Sequence, residues 1–306
     1  MQITAIDSFC SKIHTLGNKN PQSSDTSEKF LYSMTFAATK LRRTILDMAH
    51  AGSSVHIACA FSIVEILAVL YRSHLNLGES EQPDAPDRDY LVLSKGHGVM
   101  AHYACLRELG WLEDADFENY FGDGTRLKAL SDAHIPGVEV SSGSLGHGLS
   151  VGVGLALAAK KKGTNQRCFA IVGDGEINEG AIWEACLFAA HFELSNLTVI
   201  VDENGYQAMG KTDEVMKLGR IADKFAAFGF ETREVDGHDE QALDETLKEL
   251  SALSGNKPRA IVARTVKGKG ISFMEGANEW HYTRLSAETH GAALAELQDV
   301  ASQKII

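Results

Sequence analysis

The sequence is poor in cysteine, short of positive charge and without a long apolar run, and each lack narrows what the chain can be. Its five cysteines, Cys10, Cys59, Cys105, Cys168 and Cys186, are odd in number and show no CxxC spacing. That suits a reducing cytoplasm better than a disulfide scaffold or a zinc site. Each is read as a small buried hydrophobe. Only 29 Lys and Arg stand against 41 Asp and Glu, a formal net charge of −12. This argues against a protein that grips nucleic acid, which needs clustered cations. A phosphorylated small ligand stays compatible, because its site needs only local donors. No run of about 18 apolar residues occurs, so no transmembrane helix and no membrane association are expected. The opening MQITAIDSFCSKIHTLGNKN has no long apolar stretch of the secretory kind. Internal repeats and low-complexity tracts are also lacking.

What is present is ordinary globular material. The 306 residues are 44% hydrophobic and 23% charged, enough to bury a large core without staples. Residues 17–27 (GNKNPQSSDTS) are polar and contain Gly, Pro and Ser. They predict a flexible N-terminal segment over 1–27 and a folded body over 28–306. Phe30, Met34, Leu41, Ile45 and Met48 share a helical face, with Gly52 as the stop. Ser62-Ile63-Val64-Glu65 has the pattern of a capping box ahead of the apolar helix IVEILAVLY. Strands are expected over 90–93, 168–172, 197–202, 230–235 and 260–264. The continuous run CFAIV at 168–172 marks a strand buried on both faces. Helical stretches fall at 181–192 and 242–253, and a further helix from about Ser286 is expected to dock on the body or on a partner. Strands alternating with helices give an α/β fold with a mainly parallel sheet flanked by helices.

Ligands of an open α/β sheet gather at the carboxyl ends of its strands. Gly173-Asp174-Gly175 closes one predicted strand and Glu203-Asn204-Gly205 closes the next, with 28 residues between Gly175 and Asn204. One helix plus one strand fills that interval, so Asp174 and Asn204 are expected at one edge of the sheet. A carboxylate and a carboxamide oxygen are hard ligands suited to Mg²⁺ or Ca²⁺. Two protein ligands do not fill an octahedron, and a diphosphate would supply further oxygens. Gly173 and Gly175 let the backbone approach those phosphates and expose N–H donors at a helix start. A bare GDG turn is common; GDG in this setting is far more specific.

This pattern resembles the thiamine-diphosphate motif, and the wider text resembles the transketolases. The matching stretches are LSKGHG at 93–98, PGVEVSSGSLGHG at 136–148, GDGEINEG at 173–180, DENGYQ at 202–207, DGHD at 236–239, TVKGKG at 265–270 and EWH at 279–281. They run in order from about residue 30 to 285 and cover the N-terminal third to half of a conventional transketolase. The resemblance implies a thiamine-diphosphate-binding (PP-type) fold. It further implies the N-terminal subunit of a split transketolase, with the remainder on another polypeptide.

Carried over residue by residue, the resemblance implies that Asp174 and Asn204 bind the ion, with the carbonyl of Tyr206 as a third ligand. Gly173, Gly175 and Glu176 belong to the diphosphate-binding turn. Gly143, Ser144 and Leu145 match the loop that lies against the cofactor's aminopyrimidine, and His147 is expected to face the diphosphate. Glu179 matches the acidic residue that links two cofactor sites across a dimer; a helix-start Glu complementing the dipole is the simpler alternative. His97 in GHG and His281 in EWH match histidines that donate hydrogen bonds to cofactor and substrate, a role that suits imidazole near neutral pH. His56 stands where the family has His-Pro-Gly, but is followed here by Ile57-Ala58. His134 lies near a further family histidine. Lys95, Lys267 and Lys269 are candidates for phosphate or substrate, Lys269 being more simply a solvated charge.

The resemblance also implies what lies elsewhere. The glutamate that activates the cofactor, and the arginines that take a substrate phosphate, belong to the pyrimidine-binding domain that follows. The expectation is an α₂β₂ enzyme of two-carbon ketol transfer, active only with a partner chain and using thiamine diphosphate and Mg²⁺. Two other readings are the α subunit of a 2-oxo acid dehydrogenase E1 and a non-catalytic scaffold half.

Overall fold

The structure, a computed structural model, describes residues 35–53 and 55–303, with side chains up to residue 298. The segment 1–27, and Phe30 and Met34 of the first helical face, lie outside the described residues.

In chain order the elements are α1 (Ala38–Ala51), α2 (Ile57–Phe61), α3 (Val64–Val69), β1 (Tyr90–Leu93), α4 (Val99–Glu108), α5 (Ala115–Glu118), α6 (Gly148–Lys162), β2 (Cys168–Gly173), α7 (Gly180–His191), β3 (Leu197–Glu203), α8 (Thr212–Val215), α9 (Ile221–Ala227), β4 (Glu231–Asp236), α10 (Glu240–Ala252), β5 (Arg259–Arg264) and α11 (Ala287–Gln303). The five strands make one parallel sheet in the order β1-β2-β3-β5-β4. Each predicted strand is present, most with bounds shifted by a residue, and helices cover both faces.

Alternation along the strands decides which face each residue feeds. Leu91, Phe169, Ile171, Ile200 and Ile261 join a core with α1, α3, α4, α10 and α11. Val92, Ala170, Val172, Val199, Val201 and Val262 join a second core with α6, α7 and α9. Each large apolar side chain among them contributes about 1.5–3 kcal/mol by leaving water. α11 docks on α1 through buried Ala293 and Leu297, as expected for the tail. α6 has no counterpart among the sequence expectations. Its small residues, with buried Gly148 and Gly152 in GLSVGVGLALAA, dilute the helical periodicity.

The capping box does not form. Ser62 and Glu65 are buried and engaged elsewhere: Ser62 Oγ donates to Asp202 Oδ2 at 2.7 Å, and Glu65 accepts from Arg42 at 2.6 and 2.9 Å. Asp239 caps α10 instead, accepting from the N–H groups of Gln241 and Ala242.

Candidate active site

Parallel register sets the first half of the site. Gly173 of β2 lies opposite Asp202 of β3, so the turns that follow, with Asp174 and Asn204, sit side by side at the carboxyl edge. Asp174 Oδ1 accepts from Gly175 N at 2.7 Å; Oδ2 accepts from Gly205 N at 2.7 Å and Thr212 Oγ1 at 3.2 Å. Asn204 is oriented by Nδ2, which donates to Asp202 Oδ2 at 2.8 Å, and its Oδ1 accepts from Tyr206 N at 3.0 Å. Asp174 is 2% exposed. No Lys or Arg lies within ion-pair distance of it among the described residues. Burial, reinforced by the neighbouring Asp202 charge, pushes its carboxyl up to about 6. A buried carboxylate of this kind is completed by a cation, and with Asn204 Oδ1 it offers hard oxygen donors for one.

The second half is a cluster of imidazoles. His56 precedes α2, His97 sits in the 3₁₀ turn after β1, and His281 follows the 3₁₀ turn Asn278–Trp280. A two-bond bridge between Val55 and Thr283 brings the first and last together, with N···O distances of 2.9 and 3.1 Å. Ring centroids are 5.5 Å apart for His56 and His97, 5.2 Å for His56 and His281, and 5.9 Å for His97 and His281. Burial, then the charge of Lys267, lowers His56 and His281 to about 4, and His97 falls well below its usual value for the same leading reason. All three are therefore neutral near pH 7, each with one N–H and one lone pair. His56 Nδ1 is buried with no partner in the described structure, a polar atom awaiting a ligand group.

Both halves line one cleft of about 430 Å³ with Cys59, Leu130, Gly143, Leu145, Gly173, Gly175, Glu176, Glu179, Tyr206, Gln207 and Met209. Gly175 is required there, since a Cβ would meet Gln207 Cγ at 2.7 Å. The glycines of the two GHG stretches explain each other. A Cβ on Gly96 would meet Ser142 O at 2.4 Å, and one on Gly148 would meet Ser94 Cα at 2.6 Å, so these loops pack backbone to backbone.

Several expected contacts fall differently. Ser144 and His147 line a neighbouring cleft with Ser131 and His134, not the one that holds Asp174. His147 directly precedes α6, and its exposed ring turns back to Leu145 O at 3.1 Å, which removes it from the diphosphate turn. His134 has a side chain 93% exposed and paired with Asp132 at 2.8 Å. The Glu176 carboxylate is taken up by Ser94 Oγ at 2.5 Å, Gly146 N at 2.9 Å and Gly173 N at 3.0 Å. It straps the loop 143–147 to β2 rather than offering itself to a ligand. Glu179 stands on the cleft wall, and its side chain makes no cap for α7. Lys95 is not available to a phosphate: it is 1% exposed and ion-paired with Asp202. Lys269 is half-buried beside Glu275 at 3.3 Å, close to the solvated charge expected of it.

Two features have no counterpart among the sequence expectations. One is the buried Asp202, which accepts from Lys95, Ser62, Thr265 and Asn204 together. An acid ending a fully apolar strand is the available signal. The other is the chain Arg42–Glu65–His238, in which His238 Nδ1 donates to Glu65 at 2.9 Å and Nε2 accepts from Val266 N at 2.8 Å. DGHD marks its position, but nothing local names Glu65 as its partner.

A sheet edge with these oxygen donors, N–H groups and neutral imidazoles defines a protein of the cation- and diphosphate-binding class. Residues 34–304 match the family model described as transketolase, thiamine diphosphate binding domain. The chain belongs to the transketolase family. It is 39% identical over 264 residues to the first of the named subunits of the apulose-4-phosphate transketolase of Actinobacillus succinogenes, covering 86% of this chain and 95% of that protein. It is 38% identical to the 6-deoxy-6-sulfo-D-fructose transketolase subunit SqwG of a Clostridium species, covering 85% of this chain and 94% of that one. A transketolase from Campylobacter jejuni superimposes with a TM-score of 0.78 at 28% identity, over 87% of this chain and 42% of that one. The chain thus has the extent of an N-terminal subunit, with the thiamine-diphosphate-binding fold. The match decides for the transketolase branch over a 2-oxo acid dehydrogenase subunit.

Proposed function

We propose that the chain is the diphosphate-binding half of a two-chain transketolase that moves a two-carbon ketol unit from an anionic ketose, such as a ketose phosphate, to an aldose acceptor. One observation carries this reading: Asp174, buried without a cationic side chain beside it, and three neutral imidazoles line one cleft. Asp174 and Asn204, with the Tyr206 carbonyl, would hold Mg²⁺ (Ca²⁺ suits the same oxygens), and Gly175 N–H would meet the diphosphate. Bound thiamine diphosphate supplies an electron sink for cleavage of the C–C bond beside a carbonyl. His56, His97 and His281 bind and orient substrate hydroxyls and hand protons to and from them; neutral rings do both without adding charge. Leu145 and Gly143 support the cofactor's other end. Glu179, on the wall, is placed to reach a second subunit.

The companion supplies the activating glutamate and the pyrimidine-binding domain, in an α₂β₂ assembly. Exposed apolar side chains around the mouth favour a protein lid: Met209 is 75% exposed, Tyr282 53% and Leu130 40%. The relatives named as subunits, and the phosphate and sulfo groups in their substrates' names, support both the divided enzyme and the anionic ketose. We further place the protein in the reducing cytoplasm, where buried thiols such as Cys59, Cys105, Cys168 and Cys186 persist. Titration calorimetry of thiamine diphosphate with Mg²⁺, into the chain alone and with its companion, tests the reading. Mg²⁺-dependent binding that tightens with the companion, together with ketol transfer by the mixture, is expected. Binding in neither sample would overturn it in favour of a scaffold.

A further inference from the structure

We propose that Lys267 is a positioning residue that fixes the tautomer of His281, so that this ring meets the substrate as an Nε2–H donor. The inference rests on the reading of the cleft given above and adds a residue to it. Lys267 is 1% exposed, an unusual place for an ammonium outside an ion pair. Its Nζ is surrounded by acceptors: Asn278 Oδ1 at 2.9 Å, Gln207 O at 3.5 Å and His281 Nδ1 at 2.8 Å. Asn278 cannot be turned the other way, because its Nδ2 donates to Ala208 O at 2.9 Å. An ammonium has three N–H groups and no lone pair. The imidazole nitrogen that faces it must therefore present a lone pair, which puts the ring proton on Nε2. Cys59 Sγ, 3.5 Å from the same nitrogen, is a second, weaker donor to it. Burial raises the Cys59 thiol's pKa and so keeps its proton in place. No described residue takes His281 Nε2, and the ring lines the cleft.

Lys267 cannot swing away, because its loop is held on both sides. Val266 N donates to His238 Nε2 at 2.8 Å, and His238 is anchored through Glu65 to Arg42. Gly268 N donates to Ala58 O at 3.1 Å, and Arg42 Nε donates to Lys269 O at 2.7 Å. The competing state is a neutral Lys267 amine that accepts a proton from Nδ1–H, which reverses the tautomer. Burial and the nearby Lys95 lower Lys267 and so work toward that state, while Cys59, Asp174 and Asp202 oppose it. Two further acceptors around Nζ favour the ammonium.

Nitrogen-15 histidine labelling of the full chain, read by long-range proton–nitrogen correlation at pH 7.5, decides between them without cofactor, companion or turnover. The His281 signals are assigned by their loss in His281→Gln. Wild type is expected to show a protonated Nε2 and a pyridine-like Nδ1. Lys267→Met should move both shifts toward a tautomer mixture, and Lys267→Arg should restore them. Cys59→Ala should leave them unchanged. A protonated Nδ1 in wild type, an unaltered spectrum in Lys267→Met, or a tautomer change in Cys59→Ala overturns the proposal. If Lys267→Met fails to fold, the wild-type and Cys59→Ala spectra still decide. Since neither the cofactor nor the reaction enters the readout, a wrong reading of the enzyme would leave this result standing.

Discussion

Asp174 and Asn204 reach the cleft from neighbouring strands, where the parallel register of β2 and β3 places them together. His56, His97 and His281 reach it from three loops far apart in the chain. The acidic half is made by backbone: Asp174 is bound by N–H groups of its own turn and the next. The imidazole half is made by buried charge, with Lys95 on Asp202 and Lys267 on His281. A half built on hydrogen-bonded backbone tolerates change in its surroundings. A half built on buried cations depends on each of their partners.

The largest effect expected from that difference is on stability. Lys95→Met leaves Asp202, which is 0% exposed, as a buried anion without its cation. Removing one partner of such a pair costs about 3–5 kcal/mol. Urea unfolding of Lys95→Met should show a loss of that size; a loss under about 1 kcal/mol would mean that Ser62, Thr265 and Asn204 suffice for Asp202. On the acidic half, Asp174→Asn keeps the shape and removes the charge. It should weaken Mg²⁺-dependent binding of thiamine diphosphate at least about 100-fold, or about 2.7 kcal/mol, with little change in the urea midpoint. Binding within a factor of a few of wild type would break the assignment of Asp174 as ion ligand.

The two halves also oppose each other in pH. Asp174 is raised to about 6 in the folded state. Its contribution to stability is therefore full below the unfolded value of about 4 and is lost as pH rises through 6. His56 and His281 are lowered to about 4. Their contribution is present above about 6.5 and is lost as pH falls toward 4. In chelator, His56→Asn should therefore lose less stability than wild type between about pH 7 and 4.5, by about 1–2 kcal/mol after screening by solvent in the open cleft. Asp174→Asn should gain on wild type as pH rises over the same interval. Urea midpoints at the two pH values measure both. Parallel curves for all three proteins would show that neither group is desolvated as the structure has it.

The same contrast explains what is legible in the sequence. Backbone-made features are local, so strands, GDG and the spacing to Asn204 can be read directly, and the parallel sheet follows from the alternation. The histidines come from resemblance, and only the Val55–Thr283 bridge shows why His56 and His281 meet. Side-chain partners across long separations leave no local trace: Asp202 with Lys95, and Glu65 with His238, need the fold. Ser62 and Glu65 show the reverse error. Their spacing satisfies a capping rule, but burial beside Asp202 and Arg42 claims both side chains. Ser144 and His147 adjoin Gly143 and Leu145 in sequence, yet the tight turn they share separates the pairs onto two clefts.

TVKGKG carries the contrast within a single loop. Lys267 and Lys269 are two residues apart and chemically identical, yet one is 1% exposed and donates to His281 while the other is half-buried beside Glu275 at 3.3 Å. A solvent-reached pair of that kind contributes little, because water screens it and holding two long side chains costs entropy. Arg42 reaches this segment through the backbone carbonyl of Lys269, a contact that any side chain at 269 preserves. Lys269→Ala is therefore expected to change the stability in urea by no more than about 0.5 kcal/mol and to leave cofactor binding and turnover with the companion at the wild-type level. A Lys269→Ala variant as impaired as Lys267→Met would show that the loop acts through its net charge, and burial would no longer distinguish the two lysines.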